Sequence, residues 1–249
     1  FRGQRGEELL HALRALAHDG EESLRHLDAA LEIRPNFVMA LRLRSIRLER
    51  VGKFDAARED FDRIIRVVPQ SASAYWMRGR FRGGRGDTEG AIADLDRAIA
   101  MDPLDASAHY SRGVVRHERG DFAGALADYE ETVRLSPTNV LAMYNIAGER
   151  YQLKDVKGCR EALEKTLAID RRHDRAHVMM ASLLGDEGKV DEAIERCTRA
   201  LEINPQSHKA LSKRGRLYGK RGDWDLAVAD FERSVELKDD AGVRRLWAD

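Results

Sequence analysis

Residues 72–105 read ASAYWMRGRFRGGRGDTEGAIADLDRAIAMDPLD, and residues 106–139 follow the same plan as ASAHYSRGVVRHERGDFAGALADYEETVRLSPTN. In both stretches a first run ends at a Gly-Asp pair, and a second run ends close to a proline. Glycine suits a helix end that enters the left-handed conformation, and the aspartate can accept the first free amides of the next helix. Proline then stops that second helix. Each stretch therefore predicts two helices joined by a tight turn.

The same plan extends over most of the chain with a period of 34 residues. A fixed period in this range is the signature of a repeat array. The prolines that mark it are Pro35, Pro69, Pro103, Pro137 and Pro205, and the two corresponding positions without proline hold Arg171 and Asp239. The repeats, numbered one to seven, are 4–37, 38–71, 72–105, 106–139, 140–173, 174–207 and 208–241.

Three slots of the repeat keep their residue size almost throughout. The first-helix slot is small after repeat one, which has His11: Ser45, Gly79, Gly113, Ala147, Ala181 and Gly215. The second-helix slot is small everywhere: Ser23, Ala57, Ala91, Ala125, Cys159, Ala193 and Ala227. Four residues further on come mostly larger fillers: Leu27, Phe61, Leu95, Tyr129, Leu163, Cys197 and Phe231. Small residues let two antiparallel helices approach closely, and the i, i+4 spacing predicts one buried stripe.

This combination of small residues, Gly-Asp turn, filler and proline over 34 residues resembles the tetratricopeptide repeat, and the resemblance covers residues 4–241. It implies an all-α fold, a right-handed α-solenoid of seven antiparallel helical hairpins whose first helices line a concave groove. We expect residues 242–249 to begin a short capping helix, with Val243, Leu246 and Trp247 packed on the last hairpin.

Two further slots change together from repeat to repeat. Four repeats carry an arginine and, 16 residues later, an aspartate: Arg44 with Asp60, Arg78 with Asp94, Arg112 with Asp128, and Arg214 with Asp230. The other three repeats have Leu10, Ile146 and Met180 in the arginine slot, with His26, Ala162 and Arg196 in the aspartate slot. Pairing with the aspartate slot of the preceding repeat would place Arg196 against Arg214. The pattern therefore predicts structural ion pairs inside each hairpin.

The overall composition limits the classes of partner. Charged residues make up 35%, but the 43 basic and 43 acidic residues cancel, so no long-range field attracts nucleic acid or an anionic membrane. Two cysteines are too few for a disulfide framework, which favours a reducing, intracellular compartment such as the cytoplasm. Because the chain begins at Phe1, we expect it to be a processed or excised piece, from which any targeting sequence would be missing.

The sequence predicts no catalytic residue, no cofactor and no metal site. His173 and His177 have the i, i+4 spacing of a metal-binding helix face, but His173 falls at a turn between repeats and no glutamate stands beside it. Cys159 and Cys197 occupy packing slots, where a buried cysteine behaves as a small apolar residue. Every other candidate polar residue has a position in the repeat.

The first helices carry the candidate binding face. Trp76, Tyr110 and Tyr144 share one slot in three consecutive repeats, and aromatic side chains often anchor interfaces. The predicted partner-binding residues are Trp76, Met77, Arg80, Tyr110, Val114, Tyr144, Asn145, Gly148, Tyr151, Met179, Lys209, Lys213 and Arg216. Some family members grip the acidic tails of chaperones with a two-carboxylate clamp. Only Lys209 and Lys213 fit its slots, since Met179, Tyr144 and Gly148 hold the others.

The sequence thus favours a non-catalytic scaffold that binds another protein, as a peptide or a folded partner. One alternative is the targeting arm of a longer enzyme or co-chaperone. A second alternative is an RNA-binding helical repeat, which the period, the prolines and the zero net charge oppose. The identity of the partner and the oligomeric state stay open.

Overall fold

A computed structural model of the protein describes residues 6–18 and 20–246, with side chains as far as Lys238. The chain divides into two compact units, Phe1–Asp128 and Tyr129–Asp249, which we call the N-terminal half and the C-terminal half. The boundary falls inside a helix. Each half is a stack of helical hairpins with its own buried core.

The described residues form helices joined by tight turns. In the N-terminal half and across the boundary these are α1 (Glu7–Ala17), α2 (Gly20–Ile33), α3 (Val38–Arg50), α4 (Phe54–Val67), α5 (Ala72–Gly83), α6 (Thr88–Met101), α7 (Ala106–Glu118) and α8 (Phe122–Leu135). In the C-terminal half they are α9 (Val140–Gln152), α10 (Val156–Ile169), α11 (Asp174–Asp186), α12 (Val190–Ile203), α13 (His208–Arg221) and α14 (Trp224–Leu246). The described residues contain fourteen helices and no strand, which confirms the all-α prediction. None of these helices combines the length and the apolar character that crossing a membrane requires.

The turn inside each hairpin depends on one residue in the left-handed conformation. Gly52, Gly86, Gly120, Gly188 and Gly222 all have positive φ, between 77° and 95°. Repeat five has Lys154 at this position, and it adopts the same conformation with φ 65°. A side chain in this region costs roughly 1–2 kcal/mol, so repeat five keeps the turn at the expense of strain.

The two helices of a hairpin approach as closely as the small slots predict. In the N-terminal half, a Cβ added to Gly79 would lie only 2.8 Å from Cγ of Leu95. In the C-terminal half, Cys159 and Cys197 are fully buried, and burial raises the pKa of each thiol to about 11. First helices also pack on the second helix of the preceding repeat, as α3 does on α2, α5 on α4, α7 on α6, α11 on α10 and α13 on α12.

The filler slot departs from the prediction only in the last repeat. Six of the seven fillers are at most 2% exposed, whereas Phe231 is 39% exposed. The interior filler Phe61, for example, lies against Phe81 on the first helix of the next repeat, with 5.0 Å between ring centroids. No helix within the described part of the chain covers that face of α14. Phe231 is therefore a surface residue of this structure.

The four predicted ion pairs form inside their own hairpins. Arg44, Arg78 and Arg112 donate to Asp60, Asp94 and Asp128 with shortest distances of 2.7, 2.7 and 2.6 Å. Arg214 donates to Asp230 at 2.8 Å. All four aspartates are buried. The hydrogen bond to Asp94 raises the pKa of Arg78 above its ordinary value, against the effect of burial.

The same arginines also reach the preceding repeat, which the sequence interpretation had excluded. A second guanidinium nitrogen of Arg44, Arg78 and Arg112 donates to Asp28, Asp62 and Asp96 at 2.7, 2.7 and 2.6 Å. Arg214 donates to the Thr198 hydroxyl at 3.1 Å. The interpretation failed because it tested one aspartate slot, while the second partner lies two residues further along the second helix. A guanidinium has several donors in a fixed fork, so it can hold both partners.

The end of the chain differs from the predicted separate helix. α14 runs from Trp224 to Leu246 as one helix. The position where most repeats have a proline holds Asp239, which does not stop a helix, so the last hairpin continues. Trp247 lies outside the described residues, and the side chains of Val243 and Leu246 lie outside the described side chains.

Candidate functional site

In the N-terminal half, the predicted binding residues are largely engaged by the protein itself. The Trp76 indole on α5 donates to the Ser111 hydroxyl on α7 at 2.9 Å, so it links two successive first helices. Arg80 pairs with Glu49 of the preceding repeat at 2.8 Å. Tyr110 and Val114 are half-buried on α7.

Met77 does not belong to the binding face. Its side chain is 5% exposed and lies in the hydrophobic core with Ala74 and Phe81. Residues three before and four after a helical position share its face, so Met77 follows the buried stripe of α5. Its counterpart Met179 in the C-terminal half is half-buried and lines a cavity.

In the C-terminal half, the first helices α9, α11 and α13 enclose a cleft with a volume of about 470 Å³. Its apolar wall consists of Tyr144, Val178 and Met179. Arg175 at the start of α11 and Lys209 at the start of α13 add positive charge. The cleft therefore combines an aromatic and aliphatic surface with two basic side chains at one end of α11 and α13.

Local contacts hold the Tyr144 side of this cleft in place. The His173 ring accepts a hydrogen bond from the Ala176 amide at 3.1 Å and so caps α11. The same ring stacks on Tyr144, with 4.8 Å between ring centroids. Burial raises the pKa of Tyr144, so the ring presents a neutral phenol. Asn204 donates to the Asp174 carboxylate at 2.9 Å and connects the start of α11 to the turn before α13.

A second cavity of about 170 Å³ lies beside the first, and Ser182 lines both. Lys213, Arg216 and Lys220 on α13 and Asp186 on α11 provide its charged groups. Burial, with Arg216 and Lys220 close by, lowers the pKa of Lys213. Like charges that are held together disfavour the charged form of each, and a negative ligand would relieve this.

We call the two cavities together the basic cleft. Its five cations are Arg175, Lys209, Lys213, Arg216 and Lys220. Among the described residues, none of these five has a carboxylate within 4 Å, although Arg216 and Lys220 donate to backbone carbonyls at 3.4 and 3.2 Å. The two acidic residues of the cleft, Asp174 and Asp186, leave it with a net positive charge.

The remaining predicted residues lie outside the cleft. Asn145 and Gly148 are half-buried on α9, and Tyr151 is exposed near its end, but none of them lines either cavity. His177 is buried, and its ring nitrogen Nε2 is bonded to the Arg171 carbonyl at 3.1 Å. The His173 and His177 rings thus have separate structural contacts.

Sequence reasoning missed Arg175 and Lys220 as members of the site. A signal for Arg175 is present, because it precedes Lys209 by 34 residues and therefore occupies the same slot. Lys220 follows Asp186 by the same interval, so two opposite charges share one slot in consecutive repeats. Comparing charge in one slot between neighbouring repeats would have found both.

Comparison with known sequences gives a direct family match. The family profile described as "Tetratricopeptide repeat" matches residues 42–82, 82–140 and 178–242, which is more than half of the chain. This chain belongs to the tetratricopeptide repeat family. A curated relative, the peptidyl-prolyl cis-trans isomerase FKBP4 of Bos taurus, is 42% identical over 45 residues. That match covers 18% of this tetratricopeptide repeat chain and 10% of the isomerase.

Solved structures with similar folds are more distant in sequence. PilF of Pseudomonas aeruginosa has a TM-score of 0.72 at 17% identity, covering 84% of this chain and 96% of PilF. YrrB, whose structure is titled "a TPR protein with an unusual peptide-binding site", has a TM-score of 0.58 at 20% identity, covering 72% of this chain and 93% of YrrB. At these identities the likeness shows the tetratricopeptide repeat fold alone.

Proposed function

We propose that this chain is a protein-interaction scaffold whose basic cleft binds an acidic segment of another protein. The observation that carries the proposal is the cluster of five cations that have no carboxylate partner among the described residues. Tetratricopeptide repeats commonly bind peptides, and YrrB is described as a TPR protein with an unusual peptide-binding site. The chain acts by holding its partner, without catalysis.

The cleft favours a segment with two kinds of residue. Tyr144, Val178 and Met179 offer a surface for an apolar side chain at one end. Lys213, Arg216 and Lys220 offer donors for carboxylates at the other. Charge-assisted hydrogen bonds to carboxylates are about twice as strong as neutral ones, so several of them would give both affinity and orientation.

RNA is the competing ligand, since phosphates are also anionic. Among the described residues that line the cleft, the rings are those of Tyr144 and His208, whereas single-stranded nucleic acids are usually held by stacking successive bases on several rings. The zero net charge of the chain also provides no long-range attraction for a polyanion. These features favour a protein segment.

Selection from a library of random displayed peptides tests the proposal. Wild-type protein should enrich acidic peptides that also contain an apolar residue. The variant Lys209→Glu/Lys213→Glu should lose this enrichment, and a selected peptide should bind it at least about tenfold more weakly. The matched control Lys157→Glu/Lys165→Glu changes the net charge equally on exposed positions of α10 and should behave as wild type.

Four outcomes contradict the proposal. The first is enrichment of neutral or basic peptides, and the second is that no peptide is enriched above background. The charge reversal on α10 could abolish binding as completely as the one in the cleft. A random-sequence RNA pool could bind more tightly than the selected peptides, with the Lys209→Glu/Lys213→Glu variant losing that binding, which would identify RNA as the ligand.

A further inference from the structure

Repeat one contains a cluster of three histidines and a glutamate. Ligand atoms of His18, Glu22 and His26 lie within 4.8 Å of one another. Nδ1 of His18 is 3.3 Å from a carboxylate oxygen of Glu22. Nδ1 of His11, on α1, is 3.4 Å from Nδ1 of His26 on α2. Two helices therefore direct ring nitrogens and a carboxylate toward one small region.

These residues occupy slots that serve another purpose elsewhere in the array. His26 stands where four other repeats have the buried aspartate, and Leu10 stands where they have its arginine. His11 fills the slot that is small in all the other repeats. Repeat one therefore lacks the ion pair that ties the first helix to the second in four other hairpins, and it carries histidines at the same crossing.

Imidazole nitrogen and carboxylate oxygen are both ligands of Zn²⁺, which prefers four ligands in a tetrahedron. With Zn–N distances of about 2.0–2.1 Å, neighbouring ligand atoms of a tetrahedral site lie about 3.3 Å apart. The His18–Glu22 distance of 3.3 Å matches this edge, and the ligand atoms of all three residues lie within 4.8 Å of one another. We propose that repeat one binds Zn²⁺ through His18, Glu22 and His26, with a water molecule as the fourth ligand and His11 as a hydrogen-bonding neighbour of His26.

The position of the cluster suits a site that fastens the first hairpin. His18 ends α1, and Glu22 and His26 lie at i, i+4 spacing on one face of α2. The His18 and Glu22 side chains are 40% and 53% exposed, so an ion from solution can reach them. A metal ion shared by His18, directly after α1, and the two α2 ligands would connect the two helices, which is the role of the arginine–aspartate pair in other repeats.

The test uses zinc chloride and protein from which any polyhistidine tag has been removed. Calorimetric titration should show one Zn²⁺ bound per chain, and Zn²⁺ should raise the unfolding temperature because it binds the folded hairpin. Magnesium and calcium, which prefer sites built from oxygen ligands alone, should do neither. Cobalt in place of zinc should give the intense visible absorption of a tetrahedral site.

Two variants locate the ion. His18→Gln and His26→Gln should each weaken zinc binding by at least about tenfold, since even outer partners of metal ligands commonly account for 10–100-fold. The control His117→Gln removes an exposed histidine on α7 and should bind as wild type. His18 is substantially exposed, so its variant should fold even if the His26 variant does not. The proposal is wrong if wild type shows no stoichiometric zinc binding, or if His18→Gln binds zinc as tightly as wild type.

Discussion

The basic side chains on the first helices of the two halves have different partners. In the N-terminal half Arg44, Arg78 and Arg112 each hold two carboxylates, and Arg80 holds Glu49. In the C-terminal half Arg214 holds one carboxylate and one hydroxyl. The five cations of the basic cleft hold no carboxylate within the described part of the chain.

The two halves also differ in the slot that holds the paired arginine in four repeats. Repeats five and six have Ile146 and Met180 in the arginine slot, and both side chains are buried. Apolar packing there replaces the ion pair, which is often neutral or stabilising when the new residues fit. The role of a basic residue in this array is thus decided by whether a carboxylate occupies the facing slot. The presence of an arginine or lysine in a slot is therefore not enough to predict an ion pair.

The largest expected effect tests the N-terminal side of the comparison. Asp94→Ala removes the carboxylate that accepts from Arg78 at 2.7 Å and from Arg82 at 3.0 Å. Because Asp94 is buried, we expect the free energy of unfolding to fall by about 3 kcal/mol, at the low end for breaking a buried pair since Arg78 keeps Asp62. Urea unfolding followed by circular dichroism measures it.

Two controls separate this effect from a general loss of charge. Asp62→Ala removes the more exposed partner of the same arginine and should cost at most about 1 kcal/mol. Asp186→Ala in the basic cleft should change stability by no more than about 0.5 kcal/mol, because no basic group of the described chain lies within 4 Å of it. Equal losses in all three variants would show that the buried arginine–aspartate pairs contribute no more to stability than other carboxylates do.

The next effect concerns binding in the C-terminal half. Tyr144→Ala removes the ring that His173 holds against the cleft. Truncating a buried aromatic anchor typically costs about 2 kcal/mol, so a selected acidic peptide should bind about thirtyfold more weakly by fluorescence anisotropy. Tyr151→Ala on the same helix lies outside the cleft and should bind normally. If both variants bind as wild type, the aromatic wall does not contribute.

A smaller effect is expected for the corresponding aromatic residue of the N-terminal half. Trp76→Phe keeps a ring but removes the hydrogen bonds to the Ser111 hydroxyl and the Ser107 carbonyl. We expect a loss of about 1 kcal/mol in the free energy of unfolding and unchanged affinity for the selected peptide. Calorimetric unfolding measures stability and fluorescence anisotropy measures peptide affinity. Both measurements on one sample show whether Trp76 has a structural role or a binding role. A tenfold loss of affinity with unchanged stability would return Trp76 to the binding face.

The repeat period made most of the fold predictable. Proline and glycine recur because a helix end needs them for backbone reasons, so their spacing predicts where helices stop. The exposed Phe231 and the continuous α14 were not predictable in the same way. Burial of Phe231 would need a further helix after α14, and an earlier end of α14 would need a proline. The last repeat lacks both features among the described residues.

The candidate site was predictable in part. Tyr144, Met179, Lys209, Lys213 and Arg216 were expected on the binding face and do line the basic cleft. Trp76 and Arg80 share slots with cleft residues yet contact their own protein, because Ser111 and Glu49 stand opposite them. The histidine cluster of repeat one was missed although His18, Glu22 and His26 follow one another at intervals of four residues, because the turn between α1 and α2 separates His18 from the other two.

The lowered pKa of Lys213 predicts that removing this charge slightly increases the stability of the protein. Burial lowers the pKa of Lys213, so the folded state holds this proton less tightly than the unfolded chain does. This costs stability at all pH values below the lowered pKa, and the cost disappears as the pH rises toward the ordinary lysine pKa of 10.5. Lys213→Met should therefore be more stable than wild type at neutral pH, by up to about 0.5 kcal/mol.

The measurement compares thermal unfolding of Lys213→Met and wild type over a series of pH values. The advantage of the variant should shrink toward pH 10.5, because wild-type Lys213 then loses its charge in both states. The same variant should bind the selected acidic peptide more weakly at neutral pH. A variant that is less stable than wild type at neutral pH would show that favourable contacts hold Lys213. The cations of the cleft would then resemble the paired arginines Arg44, Arg78 and Arg112.

The smallest expected effect is none, and it distinguishes the basic cleft from the two-carboxylate clamp of some tetratricopeptide repeat proteins. That clamp needs donors fixed in three repeats around a terminal carboxylate, and here Met179, Tyr144 and Gly148 occupy the slots that would supply them. Lys209 and Lys213 alone can attract carboxylates but cannot distinguish a terminal one from an acidic side chain. Amidating the C-terminus of a selected peptide should therefore leave its affinity unchanged, and an acidic chaperone tail should bind no better than a scrambled peptide of the same composition. Two results would contradict this expectation: amidation weakens binding tenfold, or the chaperone tail is preferred and Lys209→Glu/Lys213→Glu removes the preference. Either result would show that the cleft recognises a C-terminal carboxylate, and the proposed internal acidic segment would be wrong.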